Sequence, residues 1–352
     1  MCQVDAILDP QLIPREAPGE AVDPIGLEPV DEVSVTTLVD NVYDGLLTDS
    51  DGVTRTPMQA HRPPARHFDT GYAWGGLRAE HGFAALVTVR RGESTWRVLF
   101  DTGLTPDGMI DNADRMQIDL RDVQAVLLSH GHFDHAGGLL GLGERLAGRS
   151  TGSMPLVLHP FAFTPRRLAV PGSPELLLPT LSRAAVEAEG FAVIDRRVPS
   201  LLLDGSLLLT GEVDRTTDFE LGMPPVHEAF VDGAWGPDRT VIDDQALVVN
   251  VRGQGLVIVT GCGHAGTVNI ARHAMRLTGV PKLAGMLGGF HLNGPAFAPV
   301  IEPTVSAFVE LDPQLVVAGH CTGFAAQARL AAALPTAYLP GSSGSTYTVR
   351  AG

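Results

Sequence analysis

Lysine is almost absent: among 352 residues only Lys282 is one, and every other long cation is arginine. Lys and Arg together number 25 against 40 Asp and Glu, a formal charge of −15. A uniformly acidic chain repels phosphate backbones and anionic membrane surfaces. The pairs Arg90–Arg91, Arg166–Arg167 and Arg196–Arg197 stand apart and make no basic patch. Neither nucleic acid nor a membrane is therefore expected as a partner. A Gly-rich phosphate loop closed by lysine is also missing. Cysteine is scarce, with Cys2, Cys262 and Cys321 too few and odd in number for a disulfide framework; a reducing cytoplasm is the expected compartment. The opening MCQVDAILDP lacks a basic segment followed by an apolar run, so no secretory signal is expected. No stretch approaches the roughly 18 apolar residues that span a bilayer. What remains is ordinary globular composition, 44% hydrophobic and 18% charged, on a chain long enough to bury a substantial core.

Residues 1–32 carry five prolines and eight acids against Arg15 and read as an extended, mobile arm, leaving 33–352 as a single domain. VSVTTLVDN (33–41) is a β-branched strand, and FAALVTVRRG with WRVLFDTG forms two strands turning at Gly92. A helix is expected over 108–117, a short strand in VQAVLL, a helix in GGLLGLGERLAG and a strand in PLVLHP. Residues 164–181, rich in Pro and Leu without clear period, read as an insertion or lid-like segment. SRAAVEAEG is a short helix capped by Ser182 and closed by Gly190. From residue 245 onward strands and helices alternate, and three strands end in glycine-containing loops that carry a histidine: TGCGHAG, GGFHLNG and AGHCTG. That alternation predicts layered α/β architecture with functional groups on loops at strand ends.

The densest chemistry lies in SHGHFDHAGG (129–138), where His130, His132, Asp134 and His135 fall within six positions. At a histidine content of 12 in 352, three in one fixed pattern arise about once in seventy chains, before the aspartate is required. Packing four such groups together is unfavourable without a cation to bind. One closed tetrahedral structural site would more often be Cys-rich. The cluster divides more naturally between two ions, His130 and His132 on one, Asp134 and His135 on the other. The strand-end histidines are the candidates for completing both.

The motif, with LFDTG upstream, resembles the metallo-β-lactamase superfamily, whose fold is an αββα sandwich. In order, TLVDN, AEHGFAALV, LFDTG, SHGHFDHAGGL, TGEVDRTTDFE, DDQALVV, TGCGHAGTVN, GGFHL and GHCTG resemble the branch named for dihydropterin-methyl-(ribofuranosyl)aminobenzene-phosphate synthase. Carried onto this chain, the resemblance makes His130, His132 and His264 ligands of a first ion. It makes Asp134, His135 and His320 ligands of a second. Cys262 stands where other members place a bridging aspartate, leaving a thiolate bridge or a hydroxide alone. Asp101 is implied as a brace of the metal loop, and His291 as a ligand or a support behind one. His81 is expected to be structural or substrate-facing, and the segment with Arg215 and Glu220 to border the substrate pocket. His61, His67, His159, His227 and His273 are expected to have structural roles only.

The expected function is hydrolysis of a small-molecule ester, lactone or phosphoester. A hydroxide bridging two divalent ions would attack, with Asp134 orienting it and moving its proton. Zinc is expected, with manganese or iron as alternatives. Two other activities compete on the same fold: a synthase-type transfer joining pterin and aminobenzene-phosphate partners, and a mononuclear-iron oxidoreductase. A non-enzymatic metal sensor would want a saturated ligand shell, which this set does not supply.

Overall fold

The computed structural model describes residues 23–147 and 152–352, and places residues 11 and 12 as a two-residue strand. Alternation along the strands dictates the layering. In the strand Ala84–Arg91, Ala85, Val87 and Val89 enter one core while Ala84 and Leu86 enter another. In Gly255–Thr260, Val257 and Val259 join the first core while Leu256 and Ile258 face a third. Both faces of each strand are apolar, so each sheet must be covered twice.

Two sheets meet that need. One has eight strands in the order β10 (Phe191–Asp195), β7 (Met154–Leu158), β6 (Ala125–Leu127), β5 (Ser94–Phe100), β4 (Ala84–Arg91), β2 (Glu32–Val39), β19 (Ser345–Arg350) and β3 (Val53–Arg55). The other has seven: β1 (Gln11–Leu12), β11 (Ser200–Leu202), β12 (Leu207–Leu209), β15 (Ala246–Val251), β16 (Gly255–Thr260), β17 (Leu283–Gly289) and β18 (Leu315–Gly319). Their inner faces share a core that includes Phe100, Leu127, Leu247, Leu287 and Val317. Helices α1 (Gly108–Arg115), α3 (Leu139–Leu146) and α4 (Arg183–Ala188) cover the outer face of the first sheet through Met109, Leu142 and Val186. Helices α5 (Thr267–Thr278), α6 (Ala298–Leu311) and α7 (Phe324–Ala333) cover the second through Ile270, Phe308 and Leu330. The result is the αββα sandwich. A four-residue helix, α2 (Phe133–Ala136), sits inside the histidine motif.

Parallel pairing aligns the strand ends that matter. β5, β6 and β7 run parallel, as do β16, β17 and β18. Their carboxyl ends deliver Asp101, the 129–135 loop, Cys262, His291 and His320.

One expectation is corrected. Residues 1–10 and 13–22 of the expected arm lie outside the described residues, but 23–32 are packed. Ile25, Leu27 and Val30 are buried, and Ile25 N–H donates to the Leu277 carbonyl at 2.7 Å. Burying such side chains contributes about 1.5–3 kcal/mol each, which outweighs the local proline and acid content. The 164–181 segment, read as an insertion or lid-like segment, contributes to a small sheet of its own. Its strands β8 (Arg166–Leu168) and β9 (Leu176–Leu177) join β13 (His227–Val231) and β14 (Ala234–Pro237) in a separate four-stranded sheet. The short strands between residues 191 and 237 carry too little periodicity to be read from sequence.

Candidate metal centre

The loop after β6 is braced from behind by Asp101. This residue sits at φ 62°, a left-handed conformation costly for a non-glycine residue. Its Oδ1 accepts the Ser129 N–H at 2.7 Å and its Oδ2 accepts the Ser129 hydroxyl at 2.7 Å. The same Oδ2 accepts His135 Nδ1–H at 2.7 Å. Because the Ser129 hydroxyl donates to Asp101, its oxygen accepts from His130 Nδ1 at 2.9 Å. One carboxylate thus fixes the tautomers of two histidines and turns both Nε2 atoms inward. Gly261 permits this: a Cβ there would overlap the Ser129 hydroxyl.

His130 Nε2 lies 3.0 Å from His132 Nδ1, which lies 3.2 Å from His264 Nε2. Burial holds all three well below the usual imidazole range, so they are neutral. The outward nitrogen of His132 is oriented by a residue expected to be merely structural. His132 Nε2 lies 3.1 Å from His227 Nε2, and His227 Nδ1–H donates to the Asp238 carbonyl at 3.2 Å. His227 Nε2 must then accept from His132, leaving the Nδ1 lone pair of His132 facing His130 and His264. Arg166, 3% exposed, holds this wall together. It donates to Asp238 at 2.9 Å and to Asp243, whose Oδ2 accepts the Gly131 N–H at 2.8 Å. Nothing in the spacing of His227 or Arg166 marks these roles in the sequence.

A second convergence lies beside the first. Asp134 Oδ2 is 3.3 Å from His320 Nε2 and 3.7 Å from His135 Nε2. Cys262 Sγ is 3.1 Å from His135 Nε2 and 3.3 Å from His320 Nε2. His320, at φ 45°, is held by Asp40 Oδ1, which accepts its N–H at 3.0 Å, and by Asn41 Oδ1, which accepts its Nδ1–H at 3.0 Å. Asn41 Nδ2 donates to His81 Nδ1 at 3.1 Å, so His81 presents Nε2–H toward Asp134 Oδ2, 3.6 Å away. Burial opposes charge on His135, but Asp134 and Asp101 override it and lift the ring to about 9.

Cys262 belongs to both groups. Asp134, His135, Cys262 and His320 offer donor atoms all within 4.8 Å of one another, and so do His130, Cys262 and His264. Cys262 also lies in a third such group with His291 and Cys321. The ring of His291 packs against His264 with centroids 4.3 Å apart. Arg215 and Glu220 are near His264 but are committed to the chain. Arg215 donates to the His264 carbonyl at 3.1 Å and to the Thr240 carbonyl. Glu220 accepts the Val268 and Asn269 N–H groups at 2.9 and 2.8 Å, capping α5. Both fix the loop carrying His264.

The donor set fits divalent cations. His130 Nε2 and His132 Nδ1, with their orienting protons on the far sides of both rings, put lone pair against lone pair at 3.0 Å in a buried site, and His264 Nε2 lies 3.2 Å from the second. That arrangement is unfavourable without a positive charge between them. The mixed N, O and S donors suit zinc, with imidazole and carboxylate also acceptable to manganese or iron.

Comparison with known proteins places the chain in a family. A curated relative, the 7,8-dihydropterin-6-methyl-4-(beta-D-ribofuranosyl)-aminobenzene-5'-phosphate synthase of Methanocaldococcus jannaschii, is 28% identical over 256 residues, 71% of this chain and 83% of its own. The uncharacterized protein MJ0448 of the same organism is 28% identical over 254 residues, 72% and 88% respectively. The solved structure of Tm1679, described as a metal-dependent hydrolase of the beta-lactamase superfamily, superposes with TM-score 0.65 at 26% identity, covering 90% of this chain and 99% of that one. The family pattern described as "Metallo-beta-lactamase superfamily" spans residues 81–268, from His81 through the histidine motif to His264 and the start of α5, and the chain belongs to that superfamily.

Proposed function

We propose that this chain is a hydrolase of a small-molecule ester, lactone or phosphoester, working with two divalent ions. The observation that carries the proposal is the pair of donor groups sharing Cys262. Two ions held there would supply an activated water near neutral pH and positive charge for the oxyanion that develops on the substrate. His130, His132 and His264 hold one position. Asp134, His135 and His320 would hold the other, and Cys262, which belongs to both groups, would supply a thiolate to either. Asp134 has a second task. The neighbouring His135 and His320 outweigh burial and keep its carboxylate ionised far below the usual range. Ionised, its Oδ2 would accept a hydrogen bond from the attacking water and so orient it. His81 Nε2–H, 3.6 Å from that oxygen on a ring open to solvent, would donate toward it and help hold the carboxylate in place.

A synthase reading is favoured by one observation, the name of the 28%-identical methanogen relative. It requires two substrates and a phosphate-recognising surface. Metal analysis of protein purified without chelator, with a panel of ester, lactone and phosphodiester substrates, separates the readings. Two equivalents of zinc or manganese with hydrolysis support the proposal. One iron with consumption of oxygen, or condensation of a pterin with an aminobenzene phosphate and no hydrolysis, overturns it.

A further inference from the structure

Beside His264 a cavity of about 480 Å³ opens, walled largely by Phe219, Leu221, Met223, Phe290, Phe297 and Val300. Three features make it a built site. Its apolar wall continues into the metal centre, because Phe297 packs edge-on to His291 with centroids 4.8 Å apart and His291 packs on His264 at 4.3 Å. The ring of His264, 5% exposed, directs Nε2 toward His132, while its buried Nδ1 has no hydrogen-bond partner among the described residues. The opposite wall is set in the backbone. Gly222, at φ 82°, lets Met223 N–H donate to the Arg239 carbonyl at 2.8 Å, and a Cβ on Gly222 would overlap that carbonyl oxygen.

The charges around the cavity are unequal. Glu220 also borders it, but its oxygens are taken by Val268 N–H, Asn269 N–H and the Thr217 hydroxyl. Arg239 lines the mouth and is exposed, and its guanidinium has no ion pair or hydrogen bond among the described residues. On a chain of charge −15, an exposed arginine among the lining residues of an apolar cavity offers an anion a partner. Leu221, 65% exposed at the same mouth, leaves apolar surface for a ligand to cover.

We propose that this cavity is the substrate-body site, and that the substrate is amphipathic. An aromatic or branched apolar body lies between Phe219 and Phe297, an anionic oxyacid group pairs with Arg239, and the reacting bond extends past His264. This rests on the hydrolase reading for the identity of the reacting bond, though not for the binding. The test uses non-reacting probes on the full-length, metal-loaded protein: anilinonaphthalene sulfonate, which is aromatic and anionic, and neutral N-phenylnaphthylamine. Both should bind wild type with enhanced fluorescence. Arg239→Ala should weaken the sulfonate about fivefold and leave the neutral probe unchanged, as for an exposed charge pair. Ala296→Trp, which fills the cavity from an exposed lining position, should abolish both. Displacement of the sulfonate by naphthoate or by naphthylphosphonate, neither of which has a bond to hydrolyse, then tells which oxyacid Arg239 prefers. Probe binding unaffected by Ala296→Trp, or equal losses of both probes in Arg239→Ala, would overturn the proposal. Because no probe is turned over, those results are independent of whether the protein hydrolyses anything.

Discussion

Replacing Asp101 with asparagine should weaken metal binding unequally at the two positions. The carboxylate accepts three hydrogen bonds, each of 2.7 Å, from Ser129 N, Ser129 Oγ and His135 Nδ1. An amide offers one acceptor oxygen and one donor nitrogen, so whichever way it turns, at least one of those donors meets another donor. Losing a hydrogen bond to a charged acceptor in a buried site costs about 1.5–3 kcal/mol. Passed on to the histidine it orients, that is a loss of about 10- to 100-fold in metal affinity. His135 contacts Asp101 directly, whereas His130 is reached through the Ser129 hydroxyl. The position of Asp134, His135 and His320 should therefore lose more than that of His130, His132 and His264. Ser129→Ala removes only the second link and should weaken the His130 position by less than about tenfold. Titration against a chromophoric chelator, resolved into successive binding steps, measures both. Thermal unfolding of the metal-free variants checks that they fold. Wild-type affinity at both positions in Asp101→Asn, or a loss confined to the His130 position, would refute the reasoning.

Other consequences follow from the same contacts. His227→Phe leaves His132 Nε2–H without its acceptor, and kcat/KM on the best substrate of the panel should fall about tenfold; an unchanged value would remove His227 from the site. Burial pushes the Asp244 carboxyl up to about 7. Its folded form thus binds a proton more tightly than the unfolded chain, and in metal-free protein stability should fall as pH rises from about 4 to 7. Asp244→Asn should flatten that fall in denaturant melts run across the window, and a parallel pH profile would contradict the assignment. Gly222→Ala should lower the denaturant midpoint by the equivalent of about 1–3 kcal/mol, the cost of forcing a side chain into that conformation; an unaltered midpoint would mean the loop relaxes freely.

Much of the centre was legible because His130, His132, Asp134 and His135 are contiguous, and three further histidines follow strands with clear alternation. Strand and helix order after residue 245 was legible for the same reason. The supports were not. His227 and Arg166 reach His132 through a small sheet whose strands are two to five residues long, too short to show a period. Arg215 and Glu220 stood out as polar residues near a candidate ligand, yet sequence cannot separate a side chain that touches substrate from one that caps a helix. Residues 23–32 read as an arm because proline and acid dominate them. Ile25, Leu27 and Val30 pack regardless, the first two in the core beneath α5 and Val30 in the core between the sheets. Cys262 is the intermediate case: the residue is visible, but its place between two donor groups appears only when His130, His135, His264 and His320 are brought around it.

The central claim is that Cys262 Sγ is shared by two metal positions, and cobalt substitution tests it most directly. Cobalt-loaded wild type should bind two equivalents and show a sulfur-to-cobalt charge-transfer band in the near ultraviolet. Cys262→Ser should lose that band, and its second equivalent should bind markedly more weakly. Two cobalt ions bound with no thiolate band in wild type, or a band that survives in Cys262→Ser, would contradict the account.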